Sequence, residues 1–146
     1  MDESLLVSTI SHLVRPEDLN HHGTLFAGQM AKWLVEAGLI AASRLTGKPE
    51  DVVCVQLNGM NFRKPANNGD LIEIQSKIAY LGTTSITVFS QAVRARDKVI
   101  LVSNLATFVI VDKQNVPYPH GLKLGEDYIN RIRDIYNEAI KTRPAR

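Results

Sequence analysis

The chain has 146 residues, the size of one ordinary domain. Its 45% hydrophobic and 22% charged content is typical of a globular chain and excludes intrinsic disorder. Seventeen Lys and Arg against fifteen Asp and Glu leave a formal charge of +2, which argues against general binding to nucleic acid. The single cysteine, Cys54, excludes an intramolecular disulfide and a paired-cysteine zinc site, and it favours a reducing compartment.

The amino-terminal segment predicts neither export nor membrane insertion. The first ten residues are acidic rather than basic and carry no long apolar run, unlike a signal peptide. No window approaches the roughly 18 uncharged apolar residues that a membrane span needs. We therefore expect a cytoplasmic protein with no membrane partner and no nucleic-acid partner.

The predicted elements follow one another without repeats. Alternating apolar residues predict a strand over 4–14, and the polar loop RPEDLNHHGT follows it. An Ala- and Leu-rich run predicts a helix over 25–46, ended by Gly47 and Pro49 and apolar on nearly all sides. Strands are predicted over 52–62, 70–81, 84–95 and 98–111, and an amphipathic helix begins near Gly125.

This order predicts an α+β fold in a single domain over 1–146, with the terminal helix and tail over about 125–146. A long helix that is apolar on almost every side is buried by other elements of the fold that pack around it. A curved antiparallel sheet of about five strands around that central helix satisfies both patterns. The unpaired outer edges of such a sheet favour a homo-oligomer over a monomer, because a second copy can cover them.

The loop Asn20–Gly28 runs directly into the start of the long helix. Unpaired N–H groups and the positive dipole end at that position can hold a developing oxyanion, and Gly28 allows a substrate carbonyl to approach the backbone. Asn20 can orient a water or a carbonyl. Ordinary helix capping, glycine packing and a local turn role for the asparagine are the alternatives.

Glu36 is the one carboxylate inside the apolar helix. Burial would raise the pKa of that carboxyl and suit it to activating water. An ion pair with Lys32, one turn earlier, is the alternative that the spacing favours.

Several single residues are weaker candidates. His22 can act as a base near neutral pH or remain solvated in the loop. Arg63 and Lys64 can bind phosphates, and Ser85 can donate to a ligand, although all three also fit strand ends. Cys54, within a run of valines, is predicted to be a small core residue.

Common catalytic motifs are missing from the sequence. It contains no P-loop, no dinucleotide-binding G-x-G-x-x-G and no H-E-x-x-H metal motif. The G-x-S-x-G nucleophile elbow is also absent, which excludes the usual serine hydrolase. We expect no metal and no redox cofactor.

Five motifs in order over about 100 residues indicate a family. They are Asp18–Gly28 in the pattern D-x-N-x-x-G-x-x-x-G-G, Gly59–Phe62 with Pro65, Gly69–Asp70, Gly82–Ile86, and Phe108–Asp112 followed by Pro117. With them the chain resembles the hot-dog-fold acyl-CoA thioesterases of the bacterial short-chain and brain cytosolic type.

The resemblance implies hydrolysis of an acyl-CoA to a free acid and CoA, with CoA present only as part of substrate or product. It also implies a helix wrapped by an antiparallel sheet, dimers that join their sheets, often a trimer of dimers, and active sites at the dimer interface. Asn20 matches the family's asparagine, and the Gly28 N–H would face the thioester oxygen. Arg63, Lys64, Thr84 and Ser85 are the implied contacts to CoA, and His22 is a further candidate for binding the substrate.

The sequence departs from this pattern on the helix. The family places an acid where Val35 stands here, and Glu36 is one residue later, a rotation of about 100°. Ala27 replaces the first glycine of the pair, a milder change. Three states follow: hydrolysis with Glu36, slow hydrolysis with Asn20 and a histidine, or acyl-CoA binding without turnover. A purely structural oligomer subunit is a further alternative.

Overall fold

The computed structural model describes residues 2–142, so the last four residues of the predicted tail lie outside the described residues. Its strands are β1 (Val7–Leu13), β2 (Val52–Asn58), β3 (Leu71–Leu81), β4 (Ser85–Arg94) and β5 (Val99–Ile110). Its α-helices are α1 (Ala27–Thr46), α2 (Glu126–Arg131) and α3 (Arg133–Lys141). Short 3-10 turns occupy Glu3–Leu6, Pro16–Asp18 and Pro49–Asp51.

The five strands form one antiparallel sheet in the order β1-β3-β4-β5-β2. Helix α1 packs across one face of it, and alternate strand residues such as Ile74 and Phe108 point toward the helix. The missing side chain at Gly38 permits this close packing, because a Cβ there would lie 3.1 Å from the Phe108 ring. The predicted α+β hot-dog architecture is confirmed.

Helix α1 begins after Phe26 and ends at Gly47, whose φ of 71° is left-handed and whose N–H donates to the Ser43 carbonyl. The sheet covers one stripe of α1: Met30, Trp33, Leu34, Ala37, Gly38, Ala41, Ala42 and Leu45 are buried. The opposite side, with Lys32, Glu36 and Leu39, is exposed in the single chain. The expectation of a helix enclosed on all sides is therefore met on one side only.

Strand β2 differs from its prediction in length and burial. It ends at Asn58, because Gly59 adopts a φ of 67° and turns the chain away from β5. The chain returns where the Arg63 N–H donates to the Leu101 carbonyl at 2.9 Å. Since β2 is an edge strand, Cys54 is exposed, and its prediction as a core residue is wrong.

The predicted terminal helix is two helices, α2 and α3, separated at Ile132. Helix α3 lies on the sheet face opposite α1. The ring of Tyr136 is 5.6 Å from that of Tyr80, and the Gln56 amide donates to the Thr142 carbonyl at 2.9 Å. Both sheet faces thus carry a helix, and β2 remains an uncovered edge.

Candidate functional site

Asn20 shapes the loop in front of α1. Its Oδ1 accepts from the backbone N–H groups of His22, at 2.8 Å, and Thr24, at 3.2 Å. Its Nδ2 donates one hydrogen to the Thr24 hydroxyl at 3.1 Å. The local turn role considered for this asparagine is present, and the second Nδ2 hydrogen is available to a ligand.

Asp18 fixes the same loop to the helix. Its buried carboxylate accepts from the Arg15 backbone N–H through Oδ2 and from the Gln29 side-chain amide through Oδ1, each at 2.9 Å. Its carbonyl accepts from the Phe26 N–H at 2.8 Å. This positioning role was not predicted, although Asp18 is the first residue of the D-x-N motif.

The start of α1 has unpaired donors. The Phe26 carbonyl accepts from the N–H groups of Gln29 and Met30, and no side chain caps the helix. Within residues 2–142, the N–H groups of Ala27 and Gly28 have no acceptor. A Cβ at Gly28 would lie 2.5 Å from the Phe26 ring, so glycine lets that ring cover the first turn. This end of the helix can stabilise an oxyanion.

A cavity of about 310 Å³, which we name the loop cavity, opens beside this helix end. It is lined by Asn20, Thr24, Leu25, Ala27, Met30, Phe62, Arg63, Lys64, Pro65, Ala66, Leu101 and Val102. The structure therefore brings together Asn20, Arg63 and Lys64 from the predicted set. Gly28 lies next to a lining residue, and His22 is exposed on the loop and does not line the cavity.

Glu36 lies near His12, a residue that the sequence did not indicate as part of the site. Its Oε1 is 4.0 Å from Nε2 of His12 on β1, so the predicted pair with Lys32 is wrong. The His12 ring stacks on Trp33 with centroids 4.3 Å apart. Nε2 is buried and has no hydrogen-bond partner among residues 2–142. This contact exists because β1 and α1 are adjacent in the fold. The sequence does not show that adjacency.

Thr84 and Ser85 lie at the other end of the sheet. Ser85 is opposite Val109, whereas Arg63 bonds to Leu101, eight residues earlier on β5 and about 26 Å away along the strand. His120 Nδ1 accepts from the Leu122 N–H, so its Nε2–H donates to the Ser85 carbonyl at 3.0 Å. One chain alone does not bring these two predicted residues to the loop cavity.

Residues 2–142 contain no group of three or more His, Cys, Asp and Glu side chains placed to hold a metal ion. None of the helices described there is long and apolar enough to cross a membrane.

Comparison with known proteins identifies the family. The Thioesterase superfamily profile matches residues 22–101, more than half of the chain. The chain belongs to the thioesterase superfamily. Bacillus subtilis YkhA, named an uncharacterized acyl-CoA thioester hydrolase, is 27% identical over 121 residues, covering 80% of this chain and 68% of that protein. Mouse acyl-coenzyme A thioesterase 11 is 29% identical over 110 residues, covering 72% of this chain, and the chain spans only 18% of that longer protein.

Solved structures agree with this assignment. A Staphylococcus aureus acyl-CoA hydrolase, solved with butyryl coenzyme A, coenzyme A and coenzyme A disulfide, is 26% identical with a TM-score of 0.79. The match covers 95% of this chain and 82% of that one. The hexameric thioesterase y2039 from Yersinia pestis is 26% identical with a TM-score of 0.72, covering 80% of this chain and 94% of that one. The predicted family resemblance is confirmed.

Proposed function

We propose that this chain hydrolyses acyl-CoA thioesters to a carboxylic acid and free CoA. The observation that carries the proposal is the loop cavity, where two unpaired helix N–H groups, Asn20 and two basic side chains meet in a chain of the thioesterase superfamily. Both relatives and both solved structures reported above carry names of thioesterases or acyl-CoA hydrolases, which supports this activity.

The helix end supplies the electrostatic part of the reaction. The thioester oxygen would accept from the N–H groups of Ala27 and Gly28, which are aimed at a charge that grows as the tetrahedral intermediate forms. The second Nδ2 hydrogen of Asn20 would hold the carbonyl or the attacking water. Asp18 and Thr24 keep these groups in place by their hydrogen bonds to Gln29 and Asn20.

Glu36 is the base that we assign to the reaction. It would take a proton from water as the water oxygen bonds to the thioester carbon and the carbonyl electron pair moves onto the thioester oxygen. As that pair re-forms the carbonyl, the C–S bond breaks, and protonated Glu36 gives its proton to the CoA sulfur, so that CoA leaves as its thiol beside the carboxylic acid. Glu36 is eight residues beyond Gly28, about 12 Å along the helix axis. We therefore assign Glu36 to an active site whose Asn20 and Gly28 belong to a second copy of the chain.

The free edge of β2 is where we propose that two copies join. Val53, Val55 and Leu57 are 39%, 51% and 49% exposed there, and pairing of two β2 strands would cover them. We propose a dimer of this kind and a trimer of such dimers. The hexameric thioesterase from Yersinia pestis supports the larger assembly.

The remaining assignments follow from the same site. We assign Arg63 and Lys64 to the CoA phosphates, His22 to the rim of the loop cavity, and Thr84 and Ser85 to CoA bound at a neighbouring subunit.

We propose one domain over 1–146, a cytoplasmic location, and no metal or redox cofactor.

Release of thiol from short-, medium- and long-chain acyl-CoAs, measured beside thermal stabilisation by CoA, tests the proposal. Turnover of any acyl-CoA supports hydrolysis. Stabilisation without turnover supports the second candidate, an acyl-CoA-binding protein, which Val35 at the usual acid position favours. If the chain shows neither turnover nor stabilisation by CoA, hydrolysis and acyl-CoA binding are both overturned, and a structural subunit is the remaining interpretation. A chain with Arg63→Ala and Lys64→Ala is the matched control, because it should lose affinity for CoA and keep its fold.

A further inference from the structure

His12 is a histidine of β1 that lies on the α1 side of the sheet. Ile10, two residues earlier and therefore on the same strand face, packs against the apolar core beneath α1. Nε2 of His12 is buried and has no hydrogen-bond partner among residues 2–142. A buried ring nitrogen without a partner is costly, because it has lost its water and gained no bond in exchange. An apolar side chain would fill this position without that cost.

The orientation of the His12 ring is set by Trp33. The two rings are stacked, with centroids 4.3 Å apart and planes within 2° of each other. Trp33 is itself buried in the apolar core, so it provides a fixed surface for the histidine. Glu36 follows Trp33 by three residues and is its neighbour on the surface of α1. The stacked ring therefore presents Nε2 to Glu36, whose Oε1 is 4.0 Å away.

The Glu36 carboxylate is the group that can satisfy this nitrogen. Its side chain is 45% exposed, and among residues 2–142 it has no polar partner other than His12. The separation of 4.0 Å is about 1 Å longer than an N–H···O hydrogen bond. Rotation about the side-chain bonds of the glutamate can close that gap, because the carboxylate is not held elsewhere. The backbone of α1 and the stacked ring can stay in place.

We propose that His12 is the positioning residue of the base: its Nε2–H donates to one oxygen of Glu36 and leaves the other oxygen to take the proton from water. This inference rests on the proposed function, and His12 itself touches neither substrate nor water. Orienting a flexible carboxylate before the substrate arrives raises kcat, because the base then starts in its reactive geometry. The second copy that brings Asn20 to Glu36 would also exclude water from this hydrogen bond and strengthen it.

The test measures thiol release from the acyl-CoA that the unmodified chain hydrolyses best. His12→Phe keeps an aromatic ring against Trp33 and removes the donor, so kcat should fall by about 10-fold while KM changes by less than about twofold. His12→Gln restores an N–H near the position of Nε2, and its kcat should return to within about threefold of the original. Ser11→Ala, exposed on the other face of β1, is the matched control and should keep the original kcat.

A double variant separates positioning from a structural role. If His12 acts through Glu36, His12→Phe combined with Glu36→Gln should have the same kcat as Glu36→Gln alone, within about twofold. A histidine that only supports the fold would lower kcat again in that background. If the phenylalanine variant does not fold, His12→Gln against His12→Met gives the same comparison, because the two side chains match in length and only glutamine donates.

An unchanged kcat in His12→Phe would overturn the inference, and so would a further fall of kcat in the double variant. Both of these results leave the proposed function standing, because the unmodified chain still releases thiol. Full kcat in Glu36→Gln would overturn the base and its positioning residue together. Absence of thiol release from every acyl-CoA would overturn the proposed function itself and, with it, the role of His12.

Discussion

Two flanks of α1 carry different chemistry. The loop flank carries Gly28 and Val35, which are seven residues apart and so lie within about 20° of each other around the helix. The β1 flank carries Trp33 and Glu36, which meet His12. The one acid of α1 is therefore turned away from the stripe on which the helix start presents its free N–H groups. In our proposal the oxyanion site and the base therefore belong to different flanks of α1, and a second copy of the chain brings them together.

The largest expected effect is on the β1 flank. Glu36→Gln removes the proposed base and keeps the shape of the side chain, so kcat should fall by about 10² or more while CoA-induced thermal stabilisation stays similar. Steady-state thiol release measures this. Glu17→Gln, at an exposed position, is the control. Unchanged kcat would end the assignment of Glu36.

The loop flank should respond almost as strongly to Asn20→Ala. The change removes the amide that orients substrate and also its bonds to His22 and Thr24, so kcat/KM should fall by about 10². His22→Ala keeps the loop bonds, because only the backbone of His22 donates to Asn20, and a small effect is expected. Equal losses in the two variants would contradict the role of the asparagine.

Val35→Asp sharpens the comparison by placing an acid on the loop flank. If the missing acid limits the chain, kcat should rise by about 10-fold, because the variant places a carboxylate where the family resemblance puts its acid. The unchanged chain and Val35→Asn, which matches the aspartate in size without its charge, are the references. No gain in a variant that melts at the normal temperature would show that the acid is not limiting.

The smallest effect on rate is expected from Asp18→Ala, which loosens the loop flank without touching substrate. Loss of the bonds to the Arg15 N–H and the Gln29 amide should lower the free energy of unfolding by about 1–3 kcal/mol. Urea denaturation measures this against Glu17→Ala, an exposed neighbour. Equal stability of the two variants would contradict the anchoring role.

Periodicity was enough to predict α1 and the sheet strands, because the helix and each strand must bury one face or stripe. Strand order is not encoded locally, so the exposure of Cys54 on an edge and the contact of His12 with Glu36 could not be predicted. The early end of β2 depends on the left-handed Gly59, which the sequence left ambiguous.

Mixing two inactive variants most directly tests whether one active site takes Glu36 from one copy of the chain and Asn20 from another. Asn20→Ala and Glu36→Gln are unfolded and refolded together, and mixed oligomers are confirmed by mass spectrometry of differently tagged chains. In a mixed dimer, one of the two sites keeps both residues, so thiol release should return to about a quarter of the original rate. Mixed oligomers that stay as inactive as the separate variants would contradict an active site shared between subunits.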